Sequence, residues 1–185
     1  MNNRSFVVLA LAALFAAATS QLQGQALPTA SRTGLLQAGF GLSNANSDEF
    51  TQRISGITGY ATFDIRAHLG IEADIHMLNI ITPNDFVESS YLGGVRYVWH
   101  RGRLDPYVKV LGGIGQTYIQ PPYDTHAPGV PGTYMVIAGA GGLDLRLPHH
   151  INVRAIDFEY QMWPNFPPNG LSPTLITCGV AYRFN

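Results

Sequence analysis

The feature that most constrains the fold of this chain is a two-residue alternation of apolar and polar side chains, repeated along most of the sequence. From residue 69 to residue 77 the odd-numbered positions are all apolar, whereas the even-numbered positions from 70 to 76 are Gly, Glu, Asp and His. Residues two apart lie on the same face of a β-strand. Each such segment therefore predicts a strand with one apolar and one polar face.

About eight segments of this kind are separated by clusters of Gly, Pro, Asn and Asp, and we find no helical periodicity among them. We place the strands at residues 35–42, 54–66, 69–78, 89–99, 105–119, 134–147, 151–162 and 174–184. The links after the even-numbered strands are short and those after the odd-numbered strands are long. Outer-membrane barrels have this asymmetry, with short periplasmic turns and long extracellular loops. The sequence predicts an all-β fold, an eight-stranded antiparallel up-and-down transmembrane β-barrel.

The direction of the apolar row distinguishes a membrane barrel from a soluble one. Charged residues make up 12% of the chain, against about 25% in typical soluble domains. The polar rows contain carboxylates and cations in place of the Lys, Ser and Thr of an exposed β-surface. We therefore expect the apolar row to face outer-membrane lipid. The alternative is a soluble lipocalin-like carrier with its apolar row inside.

The N-terminal residues have the pattern of a secretory signal peptide. One basic residue, Arg4, precedes an apolar run over residues 6–18, which is too short to span a bilayer as a helix. Small residues at positions 24 and 26 predict cleavage after Ala26, although an uncleaved anchor is the alternative. The predicted domains are a signal peptide, 1–26, and an outer-membrane β-barrel domain, 27–185. Cys178 is the single cysteine, so an internal disulfide is excluded.

The charges of the chain exclude nucleic-acid binding and indicate what fills the barrel. The net charge of −1 provides no basic surface for nucleic acid. The polar rows nevertheless bring many charges to the lumen, where unpaired burial is costly. An eight-stranded interior is just wide enough for side chains to fill, so a charged plug is favoured over a pore. We predict a lumen charge network of Asp64, Arg66, Glu72, Asp74, Arg96, Lys109, Asp144, Arg146, Asp157, Glu159 and Arg183.

No catalytic, cofactor or metal site is predicted. The spacing of Asp157 and Glu159 is what any lumen row produces, and His126 stands in a long loop without a convincing nucleophile. His149 and His150 occupy a tight turn and are interpreted as turn residues. Aromatic residues near strand ends suggest girdles at the two membrane boundaries. These residues are Tyr91, Tyr97, Trp99, Tyr107, Tyr118, Tyr134, Tyr160, Trp163 and Tyr182.

Several segments resemble the outer-membrane β-barrel domain proteins, the OmpA-like and porin-like group. The similar segments are residues 91–97, 101–108, 140–144, 150–157 and 179–184. The resemblance implies a bacterial outer-membrane location and recognition of the last strand by the barrel-assembly machinery. Phe184 would be the recognised aromatic residue, with Tyr182 two positions earlier, although here Asn185 follows it.

The function we expect is a non-enzymatic structural or surface-interaction barrel, with long loops that contact an extracellular ligand. A narrow pore for small solutes is the first alternative. A lipid-modifying barrel enzyme, which would depend on loop residues such as His126, is the second.

Overall fold

The computed structural model describes residues 34–46, 53–81, 86–119, 130–167 and 169–184. The predicted signal peptide and its cleavage site lie outside these residues, as do His126, Asn185 and the side chain of Tyr118. Within the described ranges, no helix is long and apolar enough to cross a membrane.

Eight antiparallel strands form a closed barrel in which each strand pairs with its neighbours along the chain. They are β1 Leu35–Asn46, β2 Ile54–Asp64, β3 Leu69–Leu78, β4 Phe86–Val98, β5 Leu104–Ile119, β6 Val130–Arg146, β7 Ile151–Met162 and β8 Thr174–Phe184. Pairing of β1 with β8 closes the barrel, from Leu36 opposite Phe184 to Asn46 opposite Thr174. Closure leaves no unpaired strand edge. The predicted fold class is confirmed.

The two ends of the barrel differ in the length of their links. Residues 65–68, 99–103 and 147–150 connect strands at one end, which we call the short-turn end. The longer links, 47–53, 79–85, 120–129 and 163–173, join strand ends at the opposite end, which we call the long-loop end. His149 and His150 have φ values of 61° and 63°. Two successive left-handed residues are typical of a type I′ hairpin turn, so both histidines serve the turn conformation.

The strands turn their apolar rows outward. Phe40 is 75% exposed and Val95 55%, whereas Glu72 and Lys109 are each 2% exposed. A soluble barrel would bury the first pair and expose the second. The distribution is that of a barrel whose outer surface contacts lipid.

A β-bulge in β7 changes which residues face the interior. Arg154 pairs with Gly179, but Asp157 pairs with Thr177, so two residues of β7 lie opposite Cys178 alone. The Cys178 thiol donates a hydrogen bond to the Ala155 carbonyl at 3.1 Å. Because the bulge adds one residue, Arg154 and Asp157 both point inward despite their odd spacing.

Two aromatic residues expected at the membrane boundaries lie inside the barrel instead. Tyr107 is 2% exposed and Trp163 is fully buried. Tyr97, Trp99 and Tyr182 are exposed near the short-turn end, where the rings of Tyr97 and Trp99 meet edge to face at 4.9 Å. These three fit a girdle at that boundary.

Candidate functional site

A cluster of buried charges crosses the middle of the lumen, and we call it the lumen ion network. Each residue of the network is at most 3% exposed. Its members are Glu72, Asp74, Arg96, Lys109, Asp144, Arg154, Asp157 and Glu159.

Glu72 is the centre of this network because three cations converge on it. Arg154 binds it at two points, Nη1 to Oε1 at 2.9 Å and Nη2 to Oε2 at 3.0 Å. Lys109 Nζ lies 3.0 Å from Oε1, and Arg96 Nη1 lies 3.3 Å from Oε2. Thr62 adds a hydrogen bond to Oε2 at 3.0 Å. One carboxylate on β3 thus connects side chains from β2, β4, β5 and β7.

The same cations also hold the remaining carboxylates of the network. Lys109 Nζ contacts Asp74 and Asp157 at 2.6 Å each, and Glu159 at 3.6 Å. Arg96 Nη2 donates to Asp144 Oδ2 at 2.5 Å. Hydrogen-bonded pairing of this kind offsets the cost of removing charges from water.

Two tyrosine rings lie against the guanidinium groups of the network. The Arg154 guanidinium carbon lies 3.8 Å from the Tyr60 ring centroid and 5.0 Å from that of Tyr107. Arg96 lies 4.0 Å from the Tyr107 centroid. Cation–π contact over buried rings favours these positions and fixes the arginine planes that face Glu72 and Asp144.

Above the network, toward the long-loop end, a chain of hydrogen bonds crosses the lumen. Ser43 lies within hydrogen-bond distance of Thr58 and, at 2.7 Å, of Thr177. Thr58 Oγ1 is 2.8 Å from His76 Nδ1, and His76 Nε2 is 3.2 Å from Glu159 Oε1. Gln161 continues the chain by donating to Glu159 at 2.7 Å. Strands on opposite walls are linked through this chain.

An apolar layer follows at the long-loop end, and we call it the apolar cap. It consists of Leu92, Leu111, Val136, Ala138, Trp163, Phe166 and Leu171. The chain turns inward after β7, since the Trp163 amide donates to the Leu171 carbonyl at 2.8 Å. The Trp163 indole N–H donates to Gln161 Oε1 at 2.9 Å. A Cβ at Gly115 would overlap the Trp163 ring, so only glycine fits there.

A separate ion pair lies at the short-turn end. Arg146 Nη2 donates to Asp105 Oδ1 at 2.7 Å, and His100 Nδ1 lies 2.9 Å from the same oxygen. The Arg146 side chain is 32% exposed. Asp64, the last residue of β2, lies at the same end of the barrel. It accepts a hydrogen bond from Gln37 at 3.5 Å.

The structure places the predicted charge residues in three groups. Seven of them, Glu72, Asp74, Arg96, Lys109, Asp144, Asp157 and Glu159, belong to the lumen ion network. Asp64, Arg146 and Arg183 lie at the short-turn end, where Arg183 donates to the Leu147 carbonyl at 3.1 Å. Arg66 does not face the lumen: β2 ends at Asp64, and Arg66 is exposed in the turn that follows.

The predicted network lacks three charged residues that the structure buries within its described ranges. Arg154 has the opposite parity to Asp157, and the bulge brings it inside; the adjacent apolar pair Ala155 and Ile156 is the sequence signal that the alternation breaks there. Glu88 is 1% exposed and precedes the predicted fourth strand, which starts at residue 89, whereas β4 begins at Phe86. Asp105 is 5% exposed and has the parity of Lys109 on the same strand.

The network can hold charge and fix strand positions, but it contains no arrangement of nucleophile, base and oxyanion donors among the described residues. Each of its cations is bound by two or more carboxylates. Its chemistry is therefore that of a cross-linked polar core.

Comparison with known proteins agrees with this architecture. The family model described as "Outer membrane protein beta-barrel domain" matches residues 6–184. No curated protein matches the sequence closely enough to count as a relative.

Solved barrels share the fold at low sequence identity. Neisserial surface protein A superposes with a TM-score of 0.65 at 14% identity, covering 82% of this chain and 97% of that one. Ail, the attachment invasion locus protein of Yersinia pestis, gives a TM-score of 0.58 at 13% identity, with coverage of 82% and 99%. The N-terminal β-barrel domain of Pseudomonas aeruginosa OprF gives 0.55 at 12%, with coverage of 82% and 100%.

Proposed function

Because the chain belongs to the outer membrane protein β-barrel domain family, we propose that it is a closed, non-enzymatic barrel that presents its long loops at the cell surface. Its location is the bacterial outer membrane, as membership of this family shows. Within that setting, the proposal has two parts: a lumen blocked by its own charges, and loops that interact with molecules outside the cell.

The contacts of Glu72 are the observation that supports a blocked lumen. β3 and β7 lie on opposite walls, with three strands between them in either direction. The two-point contact between Glu72 and Arg154 spans that distance, and Lys109 and Arg96 approach from the walls between. Side chains from several walls meeting at one carboxylate fill the cross-section of so narrow a barrel. The apolar cap adds a second obstruction at the long-loop end.

Solute uptake into vesicles tests the blocked lumen. The purified barrel is refolded into liposomes and swelling is followed in isotonic solutions of small sugars or amino acids. Liposomes with the wild-type barrel should swell no faster than empty ones. Swelling that depends on solute size would instead support the narrow pore.

The number and length of the links at the long-loop end support the proposed role at the cell surface. Four of the links between strands gather there, and outer-membrane barrels place their longer loops outside the cell. Ail was solved with the heparin analogue sucrose octasulfate. In the present chain, Asp48, Glu49, Asp85 and Asp124 outnumber Arg53 in the long links. We therefore infer a partner that is not strongly anionic, in contrast to a sulfated glycan.

Epitope insertion tests the orientation that this role requires. A short tag inserted after Asp124, in a long link, should bind antibody on intact cells. The same tag inserted after Gly102, in a short turn, should bind only after the outer membrane is permeabilised. The opposite pattern would place the long loops in the periplasm and overturn the surface role.

A further inference from the structure

Glu88 is a buried carboxylate for which the described residues provide no hydrogen-bond partner. Its residue is 1% exposed, and neither carboxylate oxygen is hydrogen-bonded. It lies on the inward face of β4, two residues before Ser90, which pairs with His76 on β3. A buried carboxylate without a partner is unfavourable in its charged form, and a bound cation or a proton relieves that cost.

Three groups on the inward faces of β3 and β7 have the spacing of metal ligands. Asp74, His76 and Glu159 each offer one ligand atom, and these atoms all lie within 4.8 Å of one another. His76 Nε2 and Glu159 Oε1 are 3.2 Å apart. Two ligands of a tetrahedral ion with bonds of about 2.1 Å stand about 3.4 Å apart. The two atoms can therefore bind one ion with little movement.

Some of these ligand atoms have no other hydrogen-bond partner among the described residues. Asp74 uses Oδ2 for Lys109, while its Oδ1 is buried and unbonded. Glu159 Oε1 accepts from Gln161, and its Oε2 makes only the 3.6 Å contact with Lys109. Each carboxylate can thus keep its cation contact and offer an oxygen to an ion.

His76 is held in the orientation that metal-binding histidines adopt. Its Nδ1 lies 2.8 Å from the Thr58 hydroxyl, and Thr58 is itself bonded to Ser43. A hydrogen bond at one ring nitrogen fixes the ring and directs the other nitrogen to the metal. Here the directed atom is Nε2, on the side of Glu159.

The buried carboxylates of the lumen outnumber its permanent cations, so an added cation would reduce the net negative charge. Apart from Asp105, which pairs with Arg146, the described residues include six buried carboxylates and three buried permanent cations. The cations are Arg96, Lys109 and Arg154. All three contact Glu72, and Lys109 also lies 3.6 Å from Glu159. Among the described residues, Glu88 is the buried carboxylate of this set without a hydrogen bond to either oxygen.

We propose that Asp74, His76 and Glu159 bind one divalent transition-metal cation of the Zn²⁺ type inside the barrel, with the Glu88 carboxylate adding negative charge from β4. One imidazole nitrogen with carboxylate oxygens is a donor set that suits Zn²⁺. The ion would neutralise the excess charge and connect β3 and β7 beneath the apolar cap. This site is additional to the closed-barrel function.

Zinc retention after refolding tests the proposal. Because the apolar cap covers the site, untagged protein is refolded into detergent in the presence of Zn²⁺, and free metal is then removed by gel filtration. Bound zinc is measured by mass spectrometry, and affinity by competition with a chromophoric chelator. The variants are H76Q and E88Q, with H100Q as the matched control at the short-turn end. Heat-modifiable gel migration reports whether each variant is folded.

The wild-type barrel and H100Q should retain one zinc ion per chain, whereas H76Q and E88Q should bind at least about tenfold more weakly. A folded wild-type barrel without zinc would overturn the site, as would H76Q that binds as tightly as wild type. If H76Q does not fold, the ligands of zinc in the wild-type barrel are identified by X-ray absorption spectroscopy instead. One imidazole with oxygen ligands supports the site, and sulfur or several imidazoles in the spectrum would overturn it.

Discussion

Glu72 and Arg154 meet across the full width of the barrel through two parallel hydrogen bonds of 2.9 and 3.0 Å, although 82 positions separate them in the chain. Two-point contact between a guanidinium and a carboxylate fixes both the distance and the relative orientation of the two side chains. This pair therefore links the opposite walls of the barrel, as does the contact between His76 and Glu159.

Neutralising Glu72 should destabilise the barrel strongly. The E72Q variant leaves Arg96, Lys109 and Arg154 buried around a neutral amide, and removing one partner of a buried ion pair costs about 3 kcal/mol or more. Urea unfolding in lipid vesicles measures the free energy of unfolding. The control is R66Q, which changes an exposed turn residue and should lie within about 0.5 kcal/mol of wild type. Equal stabilities of E72Q and R66Q would show that the network contributes little.

A substitution at Gly115 should be harmful only while Trp163 is present. In G115A the new methyl group overlaps the buried indole, so the midpoint temperature of heat-modifiable migration should fall. In a W163A background the same change should have a much smaller effect, because the indole is gone. The interaction energy from the double-mutant cycle measures this coupling. Additive effects of the two substitutions would contradict the placement of Trp163 inside the barrel.

Loss of the terminal aromatic residue should impair assembly in cells more than intrinsic stability. Phe184 is 47% exposed, and its ring contacts that of Tyr182 edge to face at 5.1 Å. F184A should reduce the folded fraction in outer membranes, yet refold in detergent like wild type. The control is F40A, which removes another outward phenylalanine, 75% exposed, from β1. If F40A and F184A assemble equally well in cells, Phe184 is not the assembly signal.

The strands and their inward residues follow from the sequence where the alternation is unbroken. Glu72 and Asp74 could be placed inside because β3 keeps strict parity over its whole length. A count along β7 does not place Arg154, because the bulge depends on pairing with β8; the adjacent apolar residues Ala155 and Ile156 mark only that the alternation breaks.

Other differences come from tertiary contacts at the strand ends. The position of Trp163 after β7 predicts a boundary residue, but the chain turns inward there and Trp163 pairs with Leu171. Tyr107 shares the parity of Lys109, so the alternation itself already favoured an interior position over the girdle. Glu88 depends on where β4 begins, and strand ends are less sharply encoded than strand centres.

Single-channel recording in planar bilayers tests the closed lumen most directly. The comparison is between the wild-type barrel and the variant E72A/R154A/W163A, which removes the pair that crosses the lumen and the buried indole of the apolar cap without changing the net charge. The wild-type barrel should give no conductance steps, and the triple variant, once heat-modifiable migration shows that it is folded, should give steps of constant size. Regular steps from the wild-type barrel, equal to those of the triple variant, would contradict a lumen closed by its own side chains.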